Sequence, residues 1–151
     1  MKKHLRTYLI VLMSALVFSS CSTDKSLVPR GIDLRKYEYA SLIQMKNSFG
    51  TQHDIEIEPG IYDAVENTRL QMVGPLRIND LTPEQKEKLV LVKYTATSTA
   101  TESVLSVTFE DYMTGKTVAS CRSSNRGAWT RQRDVDRAIK KLAKRIAKIW
   151  K

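Results

Sequence analysis

Cysteine, histidine and long apolar runs are scarce in this chain. Its 151 residues hold two cysteines, Cys21 and Cys121, and two histidines, His4 and His53. A closed Cys/His zinc site or a Cys-x-x-Cys redox pair needs more thiols at tighter spacing. No Ser-His-Asp or Cys-His arrangement can be argued from the spacing of so few histidines. No glycine-rich phosphate loop follows a strand. The longest apolar stretch, Tyr8 to Phe18, is interrupted by Ser14. It is shorter than the roughly 20 helical residues that span a hydrocarbon core. No internal repeat or low-complexity run is present. These absences leave a single non-catalytic domain as the expectation, with no cofactor and no metal.

What is present begins at the N-terminus. Lys2, Lys3 and Arg6 precede the apolar stretch, and Phe18-Ser19-Ser20-Cys21 follows it. A basic start, a short apolar run and small residues at its end describe a secretory signal. Phe18-Ser19-Ser20-Cys21 also resembles the lipobox of bacterial lipoproteins, with Phe18 where leucine is usual. The resemblance implies that residues 1–20 are cleaved and that the Cys21 thiol receives a diacylglyceryl group. The new amino group is then usually acylated, with palmitate among the typical chains. Stable anchoring takes more than one acyl chain, so two or three are a sufficient membrane attachment. Ser22, rather than Asp, at the second mature position implies the outer membrane, on its periplasmic side or at the cell surface.

A thioether at Cys21 leaves Cys121 without a disulfide partner. The segment Thr117 to Cys121 reads as a strand, so Cys121 is expected as a small buried residue. Residues 21–36, polar and containing Pro29 and Gly31, read as a lipidated N-terminus and flexible tether. Residues 37–151 are long enough for one small domain with its own core.

Within that domain, Tyr37 to Met45 reads as a strand and Ser48 to Gly60 as a loop. Ile61 to Val73 carries helical spacing and stops at Gly74-Pro75. Leu76 to Ile78 reads as a short strand. Thr82-Pro83-Glu84-Gln85 is a capping-box start for a turn or two of helix. Leu89 to Thr97 is the strongest strand, and its apolar run predicts a central place. Leu105, Val107 and Phe109 alternate on one face of the next strand. Tyr112 to Lys116 turns a hairpin into a strand over Thr117 to Ser123. After a polar loop from Arg122 to Arg133, Asp134 caps a helix reaching Trp150. That helix carries Val135, Ala138, Ile139, Leu142, Ile146, Ile149 and Trp150 on one stripe. The expected fold is α+β: a two-layer sandwich with a mostly antiparallel sheet of about four to five strands and two helices on one face.

The segments Leu89–Tyr94, Val104–Lys116 and Asp134–Trp150 resemble a family of small α/β bacterial envelope lipoproteins without an assigned activity. The shared pattern is an apolar strand, a Thr-Gly-Lys hairpin and a C-terminal amphipathic helix. The resemblance implies a fold and an envelope location, and it carries no catalytic residue.

One group of metal-capable residues remains, His53-Asp54-Ile55-Glu56-Ile57-Glu58. In an extended chain Asp54, Glu56 and Glu58 share a face that could hold a hard cation weakly. The alternation of Ile55 and Ile57 favours a solvated strand edge instead.

Charge is the last signal. The precursor carries +9. From Lys116 to Lys151 there are twelve basic residues against Asp134 and Asp136. From Ser22 to Gly115 there are ten basic and fourteen acidic residues. The C-terminal helix thus offers a basic face of Lys140, Lys141, Lys144, Arg145 and Lys148. In an envelope setting that face suits anionic lipid or an acidic protein rather than nucleic acid. Thr95, Thr97, Ser106 and Thr108 are expected on the sheet face away from the helices, open to a partner strand or a second copy. The expected function is a lipid-anchored binding or assembly module. A lipid or small-ligand carrier is the alternative, and an unrecognised hydrolase the weaker one.

Overall fold

The computed structural model describes residues 24–43, 54–99, 102–127 and 130–151. Cys21 and His53 lie outside them. The chain is α+β, built on a mixed sheet of six strands, more than the four to five expected. The strands are β1 (Lys25–Leu27), β2 (Tyr39–Leu42), β3 (Gln71–Met72), β4 (Leu89–Ser98), β5 (Glu102–Asp111) and β6 (Thr117–Arg126), in the order β1-β6-β5-β4-β2-β3. Among the described residues three α-helices accompany them: α1 (Asp54–Glu66), α2 (Pro83–Glu87) and α3 (Arg131–Ile149).

The three ten-residue strands β4, β5 and β6 form an antiparallel meander. Its tight turn uses Gly115 at φ +66°, a conformation that suits glycine. Val92, Tyr94, Leu105, Val107, Phe109, Ala119 and Cys121 alternate onto the covered side and are buried. β2 instead runs parallel to both β4 and β3. Parallel neighbours need a crossover, and α1 lies in the connection between β2 and β3.

Two expectations fail around α1. Residues 54–60, read as a loop with an extended acidic edge, are helical. Ile57, Ile61, Ala64 and Val65 form its buried stripe at helical spacing. Pro59 and Gly60 are residues that intrinsic preference disfavours in a helix. Pro59 lies inside the helix. Gly60 is a contact point: a Cβ there would come 2.9 Å from Ile139 Cγ2 on α3. The glycine is thus explained by close helix–helix approach. The helix ends at Glu66 rather than Val73, because Gln71–Met72 pairs with β2 as an edge strand.

Leu76–Ile78 is not a strand. It belongs to a 3-10 helix, Pro75–Asp80, with Pro75 in its first position. The capping box at Thr82 forms as read: Thr82 Oγ1 accepts from the Gln85 N–H, and Gln85 Oε1 accepts from the Thr82 N–H.

The tether also needs correction. Lys25–Leu27, within residues 21–36, pairs antiparallel with Arg122, Cys121 and Ser120 and closes the sheet edge. The polar loop read from Arg122 is shorter, because β6 continues to Arg126. Helix α3 starts a turn earlier than expected. Thr130 is its cap, accepting from the Arg133 N–H, and Asp134 lies inside.

The core fills the space between the sheet and α1 and α3. Trp150, Phe109, Leu142, Ile146, Val135 and Ala138 are buried there. The Trp150 ring meets Phe109 at 5.1 Å between centroids and Tyr37 edge-on at 6.2 Å. Arg69 lies 5.7 Å over the same indole.

Candidate functional site

Three surfaces carry polar chemistry. The first is the outer side of α3. Arg133, Arg137, Lys140, Lys141, Lys144 and Lys148 are exposed, and Arg145 is half-buried. The basic face read from the sequence is therefore assembled, but its members do different things. Lys140, Lys144 and Lys148 point into solvent. Lys141 Nζ donates to the Ser124 carbonyl at 2.9 Å. Arg145 pairs with Asp24 at 3.4 Å. Asp24 also accepts from the Ser124 N–H at 2.8 Å. Both backbone groups of Ser124 are thus used, one toward the N-terminal segment and one toward α3. Asp24, 8% exposed at its side chain, joins β6 and α3 at one corner. Nothing in the sequence separated Asp24 from an ordinary linker aspartate, because its partners lie about a hundred residues away.

The second surface is the sheet face away from α1 and α3. Thr95 and Thr97 are exposed, and Ser106, Thr108 and Ser120 are half-buried. Lys93 and Glu110 form an ion pair across β4 and β5 at 2.5 Å. Arg126 pairs with Glu102 at 2.9 Å. An open recess of about 670 Å³ lies where β1 meets this face, lined by Leu27, Ser106, Thr108, Ser120 and Arg122 among others. Cross-strand hydroxyl and charge pairs of this kind stabilise a sheet modestly and leave hydrogen-bonding groups available.

The third is a buried polar cluster that sequence reading missed. Asp111 ends β5 and is 4% exposed. Its Oδ2 accepts from Lys36 Nζ and from the Tyr37 hydroxyl, each at 2.8 Å. Its Oδ1 accepts from the Thr114 N–H at 2.8 Å and the Thr114 hydroxyl at 3.0 Å. Burial opposes its charge, but the hydrogen bonds from Lys36, Tyr37 and Thr114 outweigh burial. They hold the carboxyl well below the usual carboxylate range. The cluster locks the hairpin turn to the segment entering β2. Every oxygen contact is spent on structure, which argues against a proton-transfer role.

Cys121 is buried in the sheet, and burial pushes its thiol up to about 11 against the pull of Arg145. A thiol held neutral is a poor nucleophile and metal ligand. Of the acidic run, Glu58 Oε2 accepts from the Tyr94 hydroxyl at 3.3 Å. Among the described residues no group of three or more His, Cys, Asp or Glu could hold a metal. Among the same residues no helix is long and apolar enough to cross a membrane.

No protein-family profile matches the chain, and no curated protein does. Solved structures do share its fold. One is a leucine-to-methionine variant of the PelC dodecamer from Paraburkholderia phytofirmans. It has a TM-score of 0.59 and 9% identity over 83% of this chain and 98% of that one. Another is the PelC dodecamer from the same organism, with a TM-score of 0.54 and 10% identity over 82% and 97% of the two chains. At that identity the likeness extends to the fold: this chain has a PelC-like α+β architecture.

Proposed function

We propose that this chain is a lipid-anchored, non-catalytic assembly module of the cell envelope, held to the outer membrane through Cys21 and working as a homo-oligomer. The observation that carries the reading is the fold it shares with a dodecameric protein, across 98% of that protein's chain. Two features of this chain support it. The lipobox-like Phe18-Ser19-Ser20-Cys21 supplies an anchor. The hydroxyl-lined face of β4 to β6 supplies a surface for a second copy, with Thr95, Thr97, Ser106 and Thr108 at its centre.

A carrier of lipids or other small apolar ligands would need an apolar cavity between helices and sheet. Trp150, Phe109, Leu142 and Ile146 pack in that space, so the assembly reading is favoured.

The test is native mass spectrometry of protein purified from detergent-solubilised membranes. The expected result is a multiple of the protomer mass, with acyl additions at Cys21 in the denatured spectrum. Introducing bulk and like charge at the open face, Thr95→Arg with Thr108→Arg, is expected to yield protomers. A wild-type protomer at micromolar concentration would refute assembly, and an N-terminus without acyl chains would refute the anchor.

A further inference from the structure

The geometry points to the basic face of α3 as a docking surface for anionic phospholipid head groups of the membrane that holds Cys21. The inference rests on the lipid-anchor half of the proposed function and adds an orientation to it.

The argument starts at Asp24. Its carboxylate is fixed to the Ser124 N–H at 2.8 Å and to Arg145 at 3.4 Å. Immediately afterwards the chain enters β1, which is paired with β6. The tether between Cys21 and the folded domain is therefore not residues 21–36. It is the three steps from Cys21 to Asp24, which reach at most about 11 Å when fully extended. A lipid attached at Cys21 brings the Asp24 corner to the membrane surface. The domain cannot stand off as it could on a long flexible linker.

The side brought to the membrane follows from helix periodicity. At 3.6 residues per turn, Arg137, Lys140, Lys141, Lys144, Arg145 and Lys148 fall within an arc of about 140°. Arg145, at one edge of that arc, is the residue that pairs with Asp24. The opposite side of the helix is buried through Val135, Leu142 and Ile146, and Ile139 packs toward α1 at Gly60. The basic arc thus begins at the anchored corner and runs outward. Asp136, the exposed acidic residue of α3, lies outside the arc. Asp134 is buried against Asn125.

Charge completes the case. Lysines are attracted to an anionic leaflet within a Debye length of about 8 Å. A tether of at most about 11 Å from Cys21 to Asp24, comparable to that length, keeps the α3 face beside Asp24 close to the leaflet. Lys140, Lys144 and Lys148 are exposed. They can exchange solvent for phosphate without breaking the contacts that Lys141 and Arg145 make.

The experiment uses the full chain purified from membranes with its anchor and placed in nanodiscs. One set is phosphatidylethanolamine with phosphatidylglycerol, the other phosphatidylcholine alone. Lysine acetylation is read residue by residue by mass spectrometry, together with the mass of the N-terminal peptide. Lys140, Lys144 and Lys148 are expected to be protected on the order of tenfold in the anionic discs, and high salt should remove the protection. Lys116, exposed at the far end of β6, is expected to react equally in both. In the variant Lys140→Glu, Lys144→Glu, Lys148→Glu, protection of Lys141 is expected to fall. Acylated protein with equal lysine reactivity in both discs would overturn the docking and leave the anchor standing. So would protection that follows a co-purified acidic protein rather than the lipid. An unacylated N-terminus would remove both.

Discussion

The two faces of the sheet are made by the same ten-residue strands and could hardly differ more. In β5, Leu105, Val107 and Phe109 point to the helices and are buried, while Ser106, Thr108 and Glu110 point away and keep partial access to water. Alternation every second residue makes this separation, and a one-residue slip would exchange the faces completely. The covered face holds Trp150, Phe109 and Leu142 and contributes most of the stability. The open face contributes little to the fold of one protomer. The comparison teaches where substitutions should be felt: in folding on one side and, under the proposed function, in association of copies on the other.

The sharpest way to break the comparison is at Trp150. Its side chain is buried against Tyr37, Phe109 and Arg69. Trp150→Ala should lower the unfolding free energy by about 3–5 kcal/mol, measured by urea denaturation followed by circular dichroism. Trp150→Phe should lose less. Among the described residues no acceptor reaches the indole N–H, so phenylalanine removes an unsatisfied donor along with the volume.

Asp111 gives the next largest effect and adds a pH dependence. Asp111→Ala leaves Lys36 Nζ and the Tyr37 hydroxyl facing a vacated site, and should remove about 3 kcal/mol at neutral pH. The folded state holds this carboxyl ionised below its ordinary value. Its contribution is therefore complete above about pH 4, the unfolded pKa, and is lost as pH falls from there toward the folded one. Stability curves of wild type and variant should converge in acid. A gap that stays constant down to pH 3 would show that the Asp111 charge is not what the cluster uses.

The open face supplies the smallest effect. Thr95→Ala and Thr108→Ala should each change protomer stability by no more than about 0.5 kcal/mol, in the same denaturation assay. A loss comparable to that at Trp150 would mean that this face supports the fold, and the contrast between the faces would fail.

Local chemistry made much of this fold legible in advance. The Thr82–Gln85 capping box, the turn at Gly115 and the alternation of β5 are short-range patterns, and each formed as read. The errors share another cause. Pro59-Gly60 reads as a break because intrinsic preference disfavours both residues in a helix. Contact with Ile139 accounts for the glycine, and burial of Ile57 and Ile61 overrides the preference. Lys25–Leu27 is too short and polar to announce a strand, and it becomes one because β6 presents an unpaired edge. On the candidate site, the basic residues of α3 were visible as a helical stripe. The division between Lys141 and Arg145, which brace the structure, and Lys140, Lys144 and Lys148, which face water, was not.

The amino-acid sequence by itself determined the α+β class, the buried stripe of α3 and the uneven distribution of charge. These depend on periodicity and composition within a single element, where neighbours in the chain are neighbours in space. Only the tertiary structure decided that Asp24 closes onto Ser124 and Arg145, that Asp111 ties the hairpin to Lys36 and Tyr37, and that Gly60 sits against Ile139. Each of these joins residues more than seventy positions apart. Packing and desolvation select such contacts, and neither is encoded in any local window of the chain.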